Sequence, residues 1–242
     1  DPATRKEIRV SPYRLATPLS MAFATYTLLV WTGLSQFTRR QQSHLKCFES
    51  LSAARPEARA FAQSLLRGAG VSGALVAVTV VSGAYVAGND AGRAYNTWPK
   101  MGDDWIAPEA LAMPLRPLYR NFVEDTALVQ LDHRVLATAT FAWVWAQYAR
   151  AVRSAHWSSL PALSRGALHA SAAVATAQVG LGISALLLYV PIPIAAAHQF
   201  GSLTLLTMLT TLGHSLRFSR PASVAAAVST GLSKAATRTV KA

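Results

Sequence analysis

The chain has 242 residues, of which 52% are hydrophobic and only 14% charged, a balance unusual for a soluble domain. Its formal net charge of +12 raises nucleic-acid binding as a reading, but clustering of that charge in alternate loops assigns it to membrane topology instead. A lone cysteine, Cys47, excludes an internal disulfide framework and a Cys-rich metal site.

The composition predicts an all-α, polytopic membrane bundle. Residues 1–14 form an N-terminal segment with Arg5, Lys6, Arg9 and Arg14. No secretory signal peptide is expected, since the apolar run that follows is long enough to remain as a span. Five runs approach the roughly 20 apolar residues that a spanning helix needs: A over 15–36, B over 68–88, C over 133–152, D over 166–190 and E over 194–216. Segment A and the basic loop after it occupy 15–65, B to E occupy 66–217, and a basic tail fills 218–242. The D to E connection, "YVPIPIAAAH", is short and its prolines stop one helix before the next begins, so D and E are expected as an antiparallel hairpin.

Charge then orients the bundle. Arg39, Arg40, Lys46, Arg55, Arg59 and Arg67 follow A; Arg150, Arg153 and Arg165 lie around the C to D loop; Arg217, Arg220, Lys234, Arg238 and Lys241 are in or beside the tail. In a five-span chain all three groups face one side, which the positive-inside rule makes the cytoplasm or the mitochondrial matrix. A basic face of this kind also suits anionic lipid headgroups. The loop over 89–131 falls on the opposite side. It opens as "GNDAGRAYNTWPKMGDDWIAPE", with turn chemistry at Pro99 and Gly102 and with Trp98 and Trp105 suited to headgroup level. It reads either as a structured lid over the bundle or as a plain interfacial anchor.

Two histidines stand near the lid side: His133, opening C in "QLDHRVLA", and His198, near the start of E in "PIAAAHQFGS". C and E run in the same direction, so both imidazoles reach similar depth, and two neutral imidazoles across a bundle suit the axial positions of a haem iron. Gly180, Gly182, Ala196, Ala197 and Gly201 leave room for a flat macrocycle. Arg134 is placed to pair with a propionate. The plainer alternative is that the histidines face headgroups and the small residues only pack helices. A second pair, His169 and His214, lies toward the basic side, where headgroup contact is the expected role, while His44 and His156 are expected to be solvent-exposed.

The stretches "VSPYRLATPLSMAF", "GAYVAGNDAGRAYNTWPKMGDDWI", "VQLDHRVLA" and "QVGLGISALLLYVPIPIAAAHQFGSL" together resemble the heme A synthase family of mitochondria and aerobic bacteria, in order, over about residues 10–217. The resemblance implies an eight-span protein of two similar four-helix halves, each holding a haem between its second and fourth helices. It makes B to E the C-terminal half, with His133 and His198 as ligands of haem b, and A the last helix of the N-terminal half. In the family that first half houses haem O, whose methyl group is oxidised to a formyl group to give haem A. Pro18 stands where family members carry a histidine, and the first three helices of that half have no counterpart here. The resemblance therefore assigns no catalytic residue to this chain and implies that the complete catalytic site is not on it. It implies a haem-b-bearing half of a split enzyme serving cytochrome c oxidase, partnered by a separate N-terminal half. The alternative it leaves is a non-catalytic haem-binding or structural subunit of a respiratory complex. An unrelated membrane-anchored interaction protein is the reading from a different class. The location implied is the mitochondrial inner membrane, with the C-terminus in the matrix and membrane lipids around the helices.

Overall fold

The computed structural model describes residues 10–40 and 54–219, with side chains at 38–40 excepted. Residues 1–9, the loop with His44, Lys46 and Cys47, and the tail from 220 onward lie outside the described residues, as do the side chains of Arg39 and Arg40. Among the described residues there is no β-strand. Five long helices carry the fold: α1 (Pro12–Arg40), α2 (Pro56–Gly88), α3 (Thr126–Val152), α4 (Ala162–Leu187) and α5 (Ile192–Leu216).

Several helices begin earlier than the apolar runs predict, because polar start signals extend them. Pro56 and Glu57 start α2 well before residue 68, a first turn that needs no N–H from proline and favours a carboxylate. Its 33 residues span about 50 Å, more than the roughly 30 Å hydrocarbon layer, so Arg59 and Arg67 sit on helix and not in a loop. Asp125 caps α3 by accepting from the Leu128 N–H at 2.8 Å. His133 thus stands two turns inside α3 and does not open it.

Four of the helices, α1, α2, α4 and α5, are both long and apolar enough to cross a membrane, where apolar run length alone suggests five candidates. The helix that falls short is α3. It is long enough, but it carries Gln130, Asp132, His133, Arg134 and Gln147, and two of these, Gln130 and Gln147, are buried against protein. A helix whose polar side chains face its neighbours needs less lipid-soluble surface than one exposed all round.

The packing is a ring. Helix α2 lies against α3, α3 against α4, α4 against α5 and α5 against α2, while α1 rests outside in the groove between α2 and α5. Helices α3 and α5 are thus diagonal, as are α2 and α4. Interhelical hydrogen bonds join the neighbours: Ser72 to Gln147 at 2.9 Å and Thr79 with Thr140 at 2.9 Å between α2 and α3, Trp145 to Thr176 at 3.1 Å between α3 and α4, Ser164 with Ser215 at 2.7 Å between α4 and α5. Tyr26 with Thr207 at 2.9 Å fastens α1 to α5. Such bonds average about 0.6 kcal/mol in membranes, so they set helix rotation more than they set total stability.

One end of the ring carries the basic residues and closes on Ala62, Leu65, Ala151, Leu168, Leu212 and Leu216. A second cluster of Val76, Val144, Ala175, Leu205, Leu206 and Leu209 fills the middle. Beyond it, toward the 89–131 loop, residues 131–139, 176–187 and 192–204 include no buried side chain at all. Both histidines of interest lie in that last level.

The loop itself is tied to three helices. Asn89 Nδ2 donates to the Tyr85 carbonyl that ends α2 and to the Val123 carbonyl that precedes α3, at 2.8 and 2.9 Å. Asn96 Nδ2 reaches the Leu186 carbonyl at the end of α4 at 2.6 Å. Buried Gln130 on α3 donates to the Ala91 carbonyl at 2.6 Å and to that of Ala94. These bonds lay the loop across the ring as a lid, resolving the choice against a loose anchor, although Trp98 and Trp105 on it stay exposed.

Candidate functional site

His133 lies seven residues into α3 and His198 six residues into α5. At about 1.5 Å per residue their distances from the starts of their helices agree to within roughly 2 Å. They project from diagonal helices of the bundle.

A glycine on the preceding helix lies against each imidazole. A Cβ placed on Gly83 of α2 would meet His133 Cε1 at 3.1 Å, Nδ1 at 3.6 Å and Nε2 at 3.8 Å. On Gly182 of α4 it would meet His198 Cε1 at 3.0 Å, Nδ1 at 3.6 Å and Nε2 at 3.6 Å. The same ring pose is therefore built twice, to within 0.2 Å, once on each of two neighbouring helix pairs, α2 with α3 and α4 with α5. Any side chain larger than hydrogen would push the imidazole, which gives both glycines a steric reason that has nothing to do with turns.

The surroundings of the two nitrogens differ. His133 Nδ1 lies 2.8 Å from Ser82 Oγ. His198 Nδ1 is buried with no hydrogen-bond partner; the Gln178 carbonyl lies near the imidazole but out of bonding geometry. Gln178 packs flat on Gly201, where a Cβ would overlap its amide oxygen, and that oxygen too is buried without a donor.

Arg134, one residue beyond His133, is engaged by the lid. Its Nη1 donates to the carbonyls of Pro99 and Lys100 at 3.2 and 3.0 Å, and its Nη2 to those of Tyr95 and Thr97 and to Gln130 Oε1 at 2.9 to 3.0 Å. The guanidinium also lies 5.7 Å from the Trp98 ring centroid. Only its Nε–H, buried and unpartnered, is left for a propionate.

The donor set suits a haem better than a compact metal centre. No group of three or more His, Cys, Asp or Glu occurs among the described residues, whereas two imidazoles on opposite helices, each held edge-on by a glycine at a level where the helices do not close on one another, match an axial pair. Of the small residues that the sequence marks near the histidines, Gly182 and Gly201 stand at close approaches, Gly180 meets nothing within 4 Å, and Ala196 and Ala197 are exposed. Gly83 and Ser82 are not among them. The signal for this pair is an internal repeat, "TVVSG" over 79–83 against "QVGLG" over 178–182, a polar residue, valine and a glycine at matching places ahead of the two histidine helices.

The other histidines have separate employment. Buried His214 bonds through Nε2 to Ser35 of α1 at 3.0 Å and meets the edge of Trp31, so it faces protein and not headgroups. Exposed His169 bonds to the Tyr148 hydroxyl at 3.0 Å and stacks edge-on with Trp157. His156 is half-buried beside Phe61, with ring centroids 6.0 Å apart, where full exposure was expected.

Comparison with known proteins gives a consistent kinship. Residues 3–210 match the COX15-CtaA family model, described as cytochrome oxidase assembly protein. The chain is 42% identical over 225 residues to a heme A synthase COX15 of Arabidopsis thaliana, covering 91% of this chain and 45% of that protein. Against the Homo sapiens heme A synthase COX15 it is 41% identical over 209 residues, 86% of this chain and 46% of the relative. A heme A synthase of Paracoccus denitrificans is 36% identical over 219 residues, 90% and 52% of the two chains. The chain spans about half the length of the curated relatives it matches. No solved structure matches it.

Proposed function

The chain belongs to the heme A synthase family, and we propose that it supplies the haem-b-bearing half of that enzyme, taking part in conversion of haem O to haem A. The observation that carries the reading is the repeated imidazole and glycine pose, His133 with Gly83 and His198 with Gly182, with the two histidines on diagonal helices of one ring. His133 and His198 would be the axial ligands, Arg134 would offer its Nε–H to a propionate, and the lid would keep water from the loop end. Bound haem b supplies one-electron storage. The residues of this chain hold it, set the orientation of its ligands and fill the rest of the ring with hydrocarbon.

The half that houses haem O in the resembling family, whether continuous with this polypeptide or separate from it, is the partner this reading requires. The proposed setting is the mitochondrial inner membrane, with the basic end and the C-terminus in the matrix and residues 89–131 in the intermembrane space. Protease added to mitoplasts should cut the 89–131 loop and leave the basic loops intact; the reverse pattern overturns the orientation.

Pro18 favours a second reading, a non-catalytic haem-binding or structural subunit of a respiratory inner-membrane complex. It sits exposed within α1, at the place where the resembling family has a histidine, and proline offers no ligand.

His133→Ala and His198→Ala test the haem assignment. Each should abolish the low-spin spectrum and most of the haem in a pyridine haemochrome assay while the protein still inserts and purifies. Unchanged haem in either variant overturns it. Two haems per assembly, one packed against α1, would support the enzyme over the subunit; a single haem away from α1 would support the subunit.

A further inference from the structure

The two imidazoles share one pose but not one hydrogen bond, and the difference traces to a single pair of residues. Ser82 precedes Gly83 on α2, and Leu181 precedes Gly182 on α4. Ser82 Oγ donates its only proton to the Thr79 carbonyl at 2.8 Å, so what it presents to His133 Nδ1, 2.8 Å away, is a lone pair. The proton of His133 is thereby held on Nδ1, and Nε2 is left as the lone pair that can ligate a metal. Thr79 is itself locked to α3 through Thr140 at 2.9 Å, so the acceptor does not move relative to the imidazole it serves. Leucine at 181 offers no such hydroxyl, so beside His198 Nδ1 there is only the Gln178 backbone carbonyl, outside bonding geometry, at the place that the Thr79 carbonyl takes beside His133.

We infer that Ser82 is a positioning residue that makes the two axial ligands unequal, with His133 as the more firmly oriented, more basic ligand. An acceptor on the distal nitrogen fixes tautomer and ring orientation and raises ligand basicity, and losing such a partner typically costs roughly 10- to 100-fold in metal affinity. The inference rests on the proposed haem reading.

The test uses the full chain purified in detergent with its own haem, comparing Ser82→Ala, Ser82→Thr and Leu181→Ser by haem retention, midpoint potential and low-temperature electron paramagnetic resonance. Ser82→Ala should weaken haem retention by about tenfold and raise the midpoint, because a less basic His133 stabilises the oxidised form less. Ser82→Thr, which keeps the hydroxyl, should restore both. Leu181→Ser should move the midpoint the opposite way by giving His198 an acceptor, and it remains readable if Ser82→Ala does not accumulate. Equal midpoints and equal resonance positions for Ser82→Ala and Ser82→Thr, or a Leu181→Ser midpoint that stays put or rises, overturn the inference while leaving the haem assignment standing. Failure of the haem assignment shows differently, as a low-spin signal that survives His133→Ala.

Discussion

At the basic end of the four-helix ring Leu65, Leu212 and Leu216 are completely buried, while toward the loop end no side chain is buried over 131–139 of α3, 176–187 of α4 or 192–204 of α5, and α2 buries only Ala84 there. The basic end is held by its own hydrocarbon contacts; the loop end is held by the lid above and by the hydrogen bonds of Thr79, Thr140 and Ser82. One set of helices therefore combines a half held by hydrocarbon contacts with a half held by polar ties and the lid. Haem binding separates the two most strongly. At haem about a thousandfold above its Kd the native state gains about 4 kcal/mol, and that gain should appear as slowed amide exchange over 131–139, 176–187 and 192–204, with little change over 62–76 and 205–216. Uniform slowing in both halves would break the comparison.

Core substitution is expected next in size and works from the other end. Leu212→Ala should cost about 2–5 kcal/mol through lost burial and an unfilled cavity, yet leave the haem spectrum of the folded protein unchanged. Val135→Ala, at 59% exposure on the loop-end half, should stay within about 0.5 kcal/mol. Denaturant midpoints in micelles read both, and comparable losses at the two positions would erase the distinction.

Glycine substitutions sharpen it on a finer scale. A Cβ added at Gly70 would meet nothing within 4 Å, so Gly70→Ala should stabilise α2 by up to about 1 kcal/mol through helix propensity. Gly182→Ala places a methyl 3.0 Å from His198 Cε1. The imidazole must yield by a few tenths of an ångström, so the expected loss is in haem retention and low-spin character with the helix intact. Retention equal to that of the parent chain would mean the close approach has no bearing on the ligand.

Much of this is legible in the sequence. Apolar run lengths mark the long helices, the proline-bounded turn marks the α4 to α5 hairpin, and the order of the runs places His133 and His198 near the starts of α3 and α5. Helix rotation is not legible, because a run of Ala, Val, Gly and Ser is apolar all round and its buried face is chosen by neighbours. That is why only the comparison of 79–83 with 178–182, and nothing within the run itself, picks out Gly83, why α3 reads as a span of the same kind as the others although Gln130 and Gln147 face inward, and why His214 is expected at headgroups when Ser35 and Trp31 enclose it. For Arg134 the sequence offers only a charge. Its partners are loop carbonyls drawn in from 34 to 39 residues away, a meeting that only the folded lid creates.

The smallest expected effect concerns how α1, outside the ring, is fastened to the loop end. Arg120 Nε and Nη2 grip Glu124 at 3.1 and 2.6 Å, and the Tyr13 hydroxyl at the start of α1 donates to the same carboxylate at 2.7 Å. The Arg120 hydrogen bond first, and the Tyr13 bond second, hold the Glu124 carboxyl below the usual carboxylate range. A folded-state pKa lower than the unfolded one means the stabilisation is fully present above the ordinary glutamate value, about 4.3, and is lost as pH falls through the lowered value. Because the site is open to solvent and screened, the loss should be local and sensitive to salt, releasing the first turns of α1 without unfolding the ring. Amide exchange over residues 12–20, corrected for intrinsic rates, should therefore rise in acid relative to neutral pH in the parent chain. In Glu124→Gln it should already be raised at neutral pH and change little with acid. A parent chain whose α1 protection is flat from neutrality down to about pH 3 would show that α1 is held by its contacts with α2 and α5 alone, and that this carboxylate has no part in fastening it.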